Sequence, residues 1–467
     1  MVDERLKDLR GASRREFLRW SATVAACLGL ERARFLNVIN DTSGSAAADT
    51  AACSSTNRHV HVMDGNGGLS NWTLPFAVPA VLQGNNNNAS HYAIGKGVAA
   101  QGYDKPWVNH PDMPWQTNSK WKMTAFVAGN NETHTGAPVS VRTLGANGML
   151  AASAAIQQAN PTLLPVLAVG INPQQFGTAA GAPGIAAVQS AQALVDLFNS
   201  AASRALLQAP ENGPLAEAYY KAFLGLNASA GRSTVARQYG TGKISMNLLA
   251  KNLSTQLTPT TEDLALFGVG TGTQGAIVNM SRALITTVKA FSLGLTSMLV
   301  MRGFNDDPHG KFANGDQAAM QTGTALAKML NGFHDLAKSR QDPACSSKTL
   351  ADAIVFTVDG DTFKQPFNRA GWGDGTPGGS NLLYVMGGGY VKTGWFGNLV
   401  NNNTAQAFDI ATGNIAQGVA YNTVRAQLGS AAAACALFAV ARGDMRRVRD
   451  FYNGAPVDQL VNLNVTG

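Results

Sequence analysis

Acidic side chains follow strand-like segments of this sequence at three separate points, and one of the three groups includes a histidine. The groups are Asp64, the run Asn305–His309, and Asp359 with Asp361. In a parallel sheet the carboxyl ends of the strands meet at one edge, which is where such folds bind ligands. Carboxylate oxygens suit hard divalent cations, and an imidazole nitrogen suits zinc. The sequence therefore indicates a metal site at this edge, with candidate ligands Asp64, Asp306, Asp307, His309 and Asp359.

A further polar run follows the strand-like segment 123–129 and belongs to the same edge. Its residues 130–136 include a second histidine, His134, and two hydroxyl side chains, Thr133 and Thr135. Asp and Asn residues, however, also cap helices and form turns directly after strands. Each residue taken alone fits that structural role, whereas the three acidic groups together with His309 favour a binding site.

The elements that would position these residues alternate between strands and helices. Strands are predicted over 59–64, 123–129, 164–170, 296–302, 353–358 and 382–386. Helices are predicted over 147–158, 185–205, 214–224, 244–257, 276–293, 316–337 and most of 416–441. The strands are continuous apolar runs, as in sheets that are buried on both faces. We therefore expect an α/β fold with a mostly parallel central sheet and helices on both faces.

The first 40 residues resemble a twin-arginine export signal. Residues Ser13–Arg19 read Ser-Arg-Arg-Glu-Phe-Leu-Arg, and a short apolar run, Trp20–Leu30, follows them. Such a signal directs a protein out of the bacterial cytoplasm, so we expect a periplasmic or extracellular location. The alternative is an amphipathic N-terminal helix that happens to contain paired arginines. The rest of the chain divides into a small-residue linker, 41–56, and one domain, 57–467, with a helical insertion over roughly 185–293.

The composition excludes two kinds of partner. Charged residues make up 14% of the chain, well below the usual quarter, and the net charge is +7. No basic cluster stands out in the body of the chain, so we do not expect nucleic-acid binding. No run after the export segment approaches the about 18–20 apolar residues that a membrane span needs, so we expect no transmembrane span.

Four cysteines bear on the redox compartment. Cys53 and Cys345 lie in polar, loop-like sequence and either pair in an oxidising compartment or remain unpaired. Cys435 lies in an alanine-rich helical run, where a cysteine is typically a small buried apolar residue. Cys27 lies in the export segment, and no cysteine spacing is typical of a zinc site.

The order of several weak motifs resembles that of a known superfamily. After the export signal come a strand with a glycine-rich turn (61–69), a Gly-aromatic turn with Asp-Pro-His (303–309) and a long helix (316–337). A Val/Ile strand (353–359) and a strand ending in three glycines (383–389) complete the order. This order resembles the alkaline phosphatase superfamily, and more closely a group of twin-arginine-exported bacterial proteins of unknown function within it. The resemblance covers about residues 57–400 and implies an alkaline-phosphatase-like sheet.

The resemblance also implies roles for individual residues. In hydrolytic members two metal ions bind at the strand ends, and one of them activates a Ser or Thr nucleophile. Asp64 would then be a first-strand ligand, Asp359 a ligand of one ion, and Asp306 or Asp307 with His309 ligands of the other. Thr133 or Thr135 would stand at the position of the nucleophile.

The sequence departs from that pattern mainly in its histidines. Asp359 is followed by Gly360 where phosphatases have an Asp-His pair, and the segment 374–380 contains no histidine. Only His309, with His134 as a second candidate, remains of the imidazoles that a two-metal site uses. Fewer imidazoles lower the affinity for zinc and leave a site that suits calcium or magnesium, or no metal at all.

Two hypotheses about function follow. The first is an exported protein with a degenerate metal site, non-catalytic or altered in activity, which binds or assembles with another exported protein at the cell envelope. The alternative is a metal-dependent hydrolase that acts on a small phosphate or sulfate ester. The missing histidines favour the first hypothesis, and the surviving carboxylates with His309 support the second.

Overall fold

The computed structural model describes most of the predicted domain and its elements. The described residues are 56–76, 98–99, 108–109, 122–131, 140–160, 162–199, 253–312, 317–361, 363, 376–400 and 404–465. The strands among them are β1 (Arg58–Asp64), β2 (Val98–Ala99), β3 (Val108–Asn109), β4 (Met123–Ala128), β5 (Thr143–Leu144), β6 (Asn147–Gly148), β7 (Leu164–Val169), β8 (Ala186–Val188), β9 (Thr296–Arg302), β10 (Gln341–Asp342), β11 (Cys345–Thr349), β12 (Ile354–Gly360), β13 (Asn381–Met386), β14 (Gly394–Phe396), β15 (Asn398–Val400), β16 (Thr404–Phe408) and β17 (Ile415–Ala420). The helices are α1 (Met149–Gln157), α2 (Ala191–Asn199), α3 (Leu253–Leu257), α4 (Thr261–Leu266), α5 (Gly275–Ser292), α6 (Gln317–Lys338), α7 (Tyr421–Val440) and α8 (Met445–Arg449).

The chain divides into two compact units. Among the described residues, the smaller unit contains 192–199 and 253–258, and therefore α2 apart from its first residue and α3. All other described elements belong to the larger unit.

An eight-stranded sheet forms the centre of the larger unit, in the order β14-β4-β13-β12-β1-β9-β7-β8. β13 runs antiparallel to β12 and β4, and every other neighbouring pair is parallel. The carboxyl ends of β4, β12, β1 and β9 therefore lie at one edge, which we call the carboxyl edge. The expected α/β class with a mostly parallel sheet is confirmed.

Helices cover both faces of this sheet, as two consecutive residues of β1 show. Side chains of neighbouring residues in a strand point to opposite faces. The Arg58 guanidinium carbon lies 6.0 Å from the centre of the Phe291 ring on α5. The next residue, His59, contacts Ser153 on α1. α5 and α1 therefore lie on opposite faces, which we call the α5 face and the α1 face.

The α1 face is completed by α7, the alanine-rich helix near the C-terminus. Every residue of α7 from Ala431 to Val440 is buried, and Cys435 is a buried free thiol, as predicted. Within the described part of the chain, α7 alone is long and apolar enough to span a membrane, and about two thirds of that stretch is buried inside the protein. Such burial is typical of a core helix in a folded domain.

A hairpin next to the start of β1 fixes the entry of the chain into the sheet. β10 and β11 form the hairpin, and Asp342 of β10 makes a buried ion pair with Arg58, with 2.7 Å between Oδ1 and Nη1. Cys345 of β11 is disulfide-bonded. Its predicted partner, Cys53, lies outside the described residues.

One predicted helix was wrong at its start, and short strands precede two of the predicted helical segments. The helix predicted from residue 185 begins at Ala191, because Ala186–Val188 pairs with β7 as the edge strand β8. The helix predicted over most of 416–441 is confirmed as Tyr421–Val440, and Ile415–Ala420 before it pairs with β16 as β17. In both places pairing with a neighbouring strand outweighs the helix propensity of alanine. The helix predicted over 214–224 lies outside the described residues.

Candidate functional site

Asp64 ends β1 at the carboxyl edge and holds the turn that follows β9. Its Oδ1 accepts a hydrogen bond from the backbone N–H of Phe304, and the N–H of Gly65 donates to the Phe304 carbonyl at 2.8 Å. A Cβ on Gly303 would lie 2.1 Å from Asp64 Oδ1, so only glycine permits this approach. Burial raises the pKa of the Asp64 carboxyl well above its usual range, although the Phe304 N–H opposes the shift.

Asp359 lies on the other face of the sheet from Asp64. In the parallel pairing of β1 with β12, Met63 is opposite Asp359. Because paired residues share a face and consecutive residues alternate, Asp359 faces the α1 side and Asp64 the α5 side. The structure therefore does not bring these two predicted ligands together on one face.

Asp359 is paired with an arginine that the sequence analysis did not single out. Arg142 lies in the 3-10 helix Ser140–Arg142, and its Nε is 2.6 Å from Asp359 Oδ2. The other carboxylate oxygen, Oδ1, is 3.4 Å from Nε2 of His61. The side chains of all three residues are buried. An internal guanidinium thus supplies the positive charge that the Asp359 carboxylate requires.

The predicted ligands after β9 are brought together only in part. Nδ1 of His309 lies 2.5 Å from Oδ1 of Asp307, and both side chains are partly exposed. Asp306 points elsewhere and accepts a hydrogen bond of 3.3 Å from the side-chain amide of Gln274 at the start of α5. The Asp307–His309 pair is therefore an accessible polar feature of this turn.

Lys311 is a second internal cation near the carboxyl edge that the sequence analysis missed. Its Nζ donates a hydrogen bond to Asn71 and lies 5.3 Å from the centre of the Phe304 ring. Burial lowers the pKa of Lys311 to about 8, and the nearby Asp306 carboxylate opposes that shift. A single lysine in a polar loop gives no sequence signal for such an environment.

The described donors do not fit the two-metal centre that the resemblance implies. In the described part of the chain, no group of three or more His, Cys, Asp and Glu side chains is placed to hold a metal ion. Asp359 is engaged by Arg142, and one oxygen of Asp64 is engaged by a backbone N–H. The remaining candidates, Thr133, His134 and Thr135, lie outside the described residues, and their roles stay predictions.

A row of buried polar side chains crosses the α1 face between α1 and Asp359. Ser153 contacts His59, both His59 and His61 contact Thr357, and His61 faces Asp359. A sequence signal was present, because histidines at 59 and 61 place two polar side chains on the same face of a buried strand. Neither histidine was among the predicted site residues.

Comparison of the chain with protein-family models, curated proteins and solved structures found no match in any of the three.

Proposed function

We propose that this chain is an exported α/β protein of alkaline-phosphatase-like fold that binds or assembles with another exported protein and does not carry out two-metal ester hydrolysis. The motif order and the shared carboxyl edge support the likeness to that superfamily. The proposal that the protein does not hydrolyse esters depends on which groups the strand-end carboxylates contact.

The observation that carries this proposal is the buried ion pair between Arg142 and Asp359. A carboxylate that ligates a metal gains its stability from the cation, and here a guanidinium already lies 2.6 Å away. A divalent cation next to Asp359 would be repelled by this charge, and displacing Arg142 would leave a buried guanidinium without its partner. The pair thus favours a domain that is stable without metal.

The disulfide of Cys345 supports a location outside the cytoplasm. Disulfides persist in oxidising compartments such as the bacterial periplasm and are rare in the reducing cytosol. This agrees with the export that the paired arginines predict, although residues 13–19 lie outside the described part of the chain.

Metal analysis combined with thermal unfolding tests the proposal. We expect the purified protein to contain no stoichiometric zinc, calcium or magnesium, and its melting temperature to be unchanged by a chelator. A stoichiometric ion, or a melting temperature that falls on chelation, would contradict it. Recovery of one exported protein in a fixed ratio with this chain, after cross-linking in intact cells, is the expected positive result.

The alternative, a metal-dependent hydrolase of phosphate or sulfate esters, draws support from the Asp307–His309 pair. This pair is partly exposed at the carboxyl edge and is accessible to a ligand. Under this alternative, chromogenic phosphate or sulfate esters are hydrolysed when a divalent metal is supplied. Asp307→Asn and His309→Gln should then lower both turnover and bound metal. Under the first proposal we expect no turnover above the uncatalysed rate with zinc, calcium or magnesium.

A further inference from the structure

Three hydrogen bonds link four buried side chains into a chain across the α1 face. Nδ1 of His59 lies 2.8 Å from Ser153 Oγ, and Nε2 of the same ring lies 2.8 Å from Thr357 Oγ1. Nδ1 of His61 lies 2.7 Å from the same Thr357 hydroxyl. All four side chains are fully buried. These hydrogen bonds join residues of α1, β1 and β12, which are up to 298 positions apart in the sequence.

Because Thr357 has a single hydroxyl hydrogen, all three hydrogen bonds must be donated in the same direction along the series. A threonine hydroxyl donates one hydrogen bond and can accept others. Accepting from both rings would leave its buried hydrogen without an acceptor, because the two histidines are its partners in the described structure, so it donates to one and accepts from the other. Two arrangements are therefore available, one running from Ser153 toward His61 and the other running back.

The Asp359 carboxylate decides between the two arrangements. An ionised carboxylate only accepts hydrogen bonds, and its Oδ1 lies 3.4 Å from Nε2 of His61. A hydrogen on this Nε2 is attracted to the carboxylate, whereas a lone pair there would be repelled in the low-dielectric interior. With its hydrogen on Nε2, His61 accepts from Thr357 through Nδ1. Thr357 then accepts from Nε2 of His59, and His59 accepts from Ser153.

We infer that Ser153, His59, Thr357 and His61 form a one-way hydrogen-bond relay in which both histidines carry their hydrogen on Nε2, and that the Nε2 hydrogen of His61 faces the Asp359 carboxylate. The relay is a positioning device, because it holds the His61 ring near Oδ1 of Asp359, whereas Arg142 lies near Oδ2. It connects α1 to the carboxyl edge through side chains alone. The inference requires an ionised Asp359 and does not depend on whether a metal binds elsewhere, so it can fail independently of the proposed function.

The tautomers can be read directly by nitrogen-15 NMR of the histidine rings in the intact protein. We expect His59 and His61 both to show a protonated Nε2 and an unprotonated Nδ1. A protonated Nδ1 on either ring of the wild-type protein overturns the inference.

Two variants test whether the direction is set at the Asp359 end. Ser153→Ala removes the first donor, so we expect the Nδ1 signal of His59 to shift while both rings keep their hydrogen on Nε2. Ser281→Ala, at another buried hydroxyl, is the matched control and should change neither ring. A change of tautomer in the Ser153→Ala protein would show that Asp359 does not set the direction.

Asp359→Asn tests the coupling of the two rings. An asparagine amide can donate to Nε2 of His61, which permits the reversed arrangement. Because Thr357 has one hydroxyl hydrogen, we expect both rings to gain a protonated Nδ1 population together. A response of His61 alone would contradict the relay. If this variant fails to fold, the wild-type tautomers and the Ser153→Ala result still decide the inference.

Discussion

At the scale of single residues, two buried ion pairs among the described residues balance their charges within the protein. Asp359 pairs with Arg142, and Arg58 pairs with Asp342. A buried ion pair contributes little net stability compared with apolar residues, but loss of one partner leaves an uncompensated charge. The sensitivity of the fold to these residues is therefore asymmetric and measurable.

Arg142→Met should destabilise the protein strongly. It leaves the buried Asp359 carboxylate without its guanidinium, and we expect a loss of about 3–5 kcal/mol in the free energy of unfolding. Arg446→Met is the matched control, because Arg446 pairs with Asp444 at 3.0 Å but its side chain is 90% exposed. The control should lose much less stability in urea unfolding, because water screens an exposed ion pair. Equal losses of unfolding free energy in the two variants would show that the buried pair contributes no more to stability than the exposed pair.

His59 should make the protein sensitive to acid. Burial, and secondarily His61, places the pKa of His59 well below 6.5 in the folded state. Below pH 6.5 the unfolded chain therefore binds a proton that the folded protein does not, so stability falls as the pH decreases. The slope from one such group approaches about 1.4 kcal/mol per pH unit as the unfolded histidine becomes fully protonated. His59→Gln should remove this share of the slope between pH 6.5 and 5 in urea titrations, and an unchanged slope in this variant would contradict the prediction.

At the scale of elements, apolar runs were sufficient to predict the central strands but not the site. The segments that became β1, β9 and β12 were predicted within two residues at each end, because continuous apolar runs mark buried parallel strands. Short strands such as β8 and β14 carry no such run, and pairing partners define them. The meeting of strand ends at one edge followed from parallel order alone. Asp64 and Asp359 lie on opposite faces because of the register in which β1 pairs with β12. That register cannot be read from the apolar pattern of either strand.

Gly303→Ala should disrupt the connection between β1 and the turn after β9. Its new Cβ would lie 2.1 Å from Asp64 Oδ1, so either the carboxylate or the turn must move. We expect a loss of about 1–3 kcal/mol in unfolding free energy, as for other overpacked positions. Gly310→Ala lies in the same loop with no atom within 4 Å of its Cβ, and it should be close to neutral. A neutral Gly303→Ala would mean that the Asp64–Phe304 contact is dispensable.

At the scale of the whole molecule, contacts between distant parts of the sequence hold the larger unit together. β1 lies between β12 and β9, and the relay joins α1 to both β1 and β12. No short fragment contains this sheet, so the unit forms only when most of the chain is available. The export that we propose would require such a domain to cross the membrane already folded, and the disulfide of Cys345 near the start of β1 would then stabilise it.

Cys345→Ser should therefore lower stability only when the protein has been oxidised. In the oxidised protein we expect a loss of about 2–4 kcal/mol, because the cross-link no longer restricts the unfolded chain. The wild-type protein treated with a reductant should match the variant, which separates the disulfide from the packing of the buried Cys345 side chain. Peptide mapping without reduction should recover Cys345 in a cross-linked peptide, and the sequence predicts Cys53 as its partner. A free Cys345 thiol in protein isolated from the envelope would remove the support that this bond gives to an oxidising location.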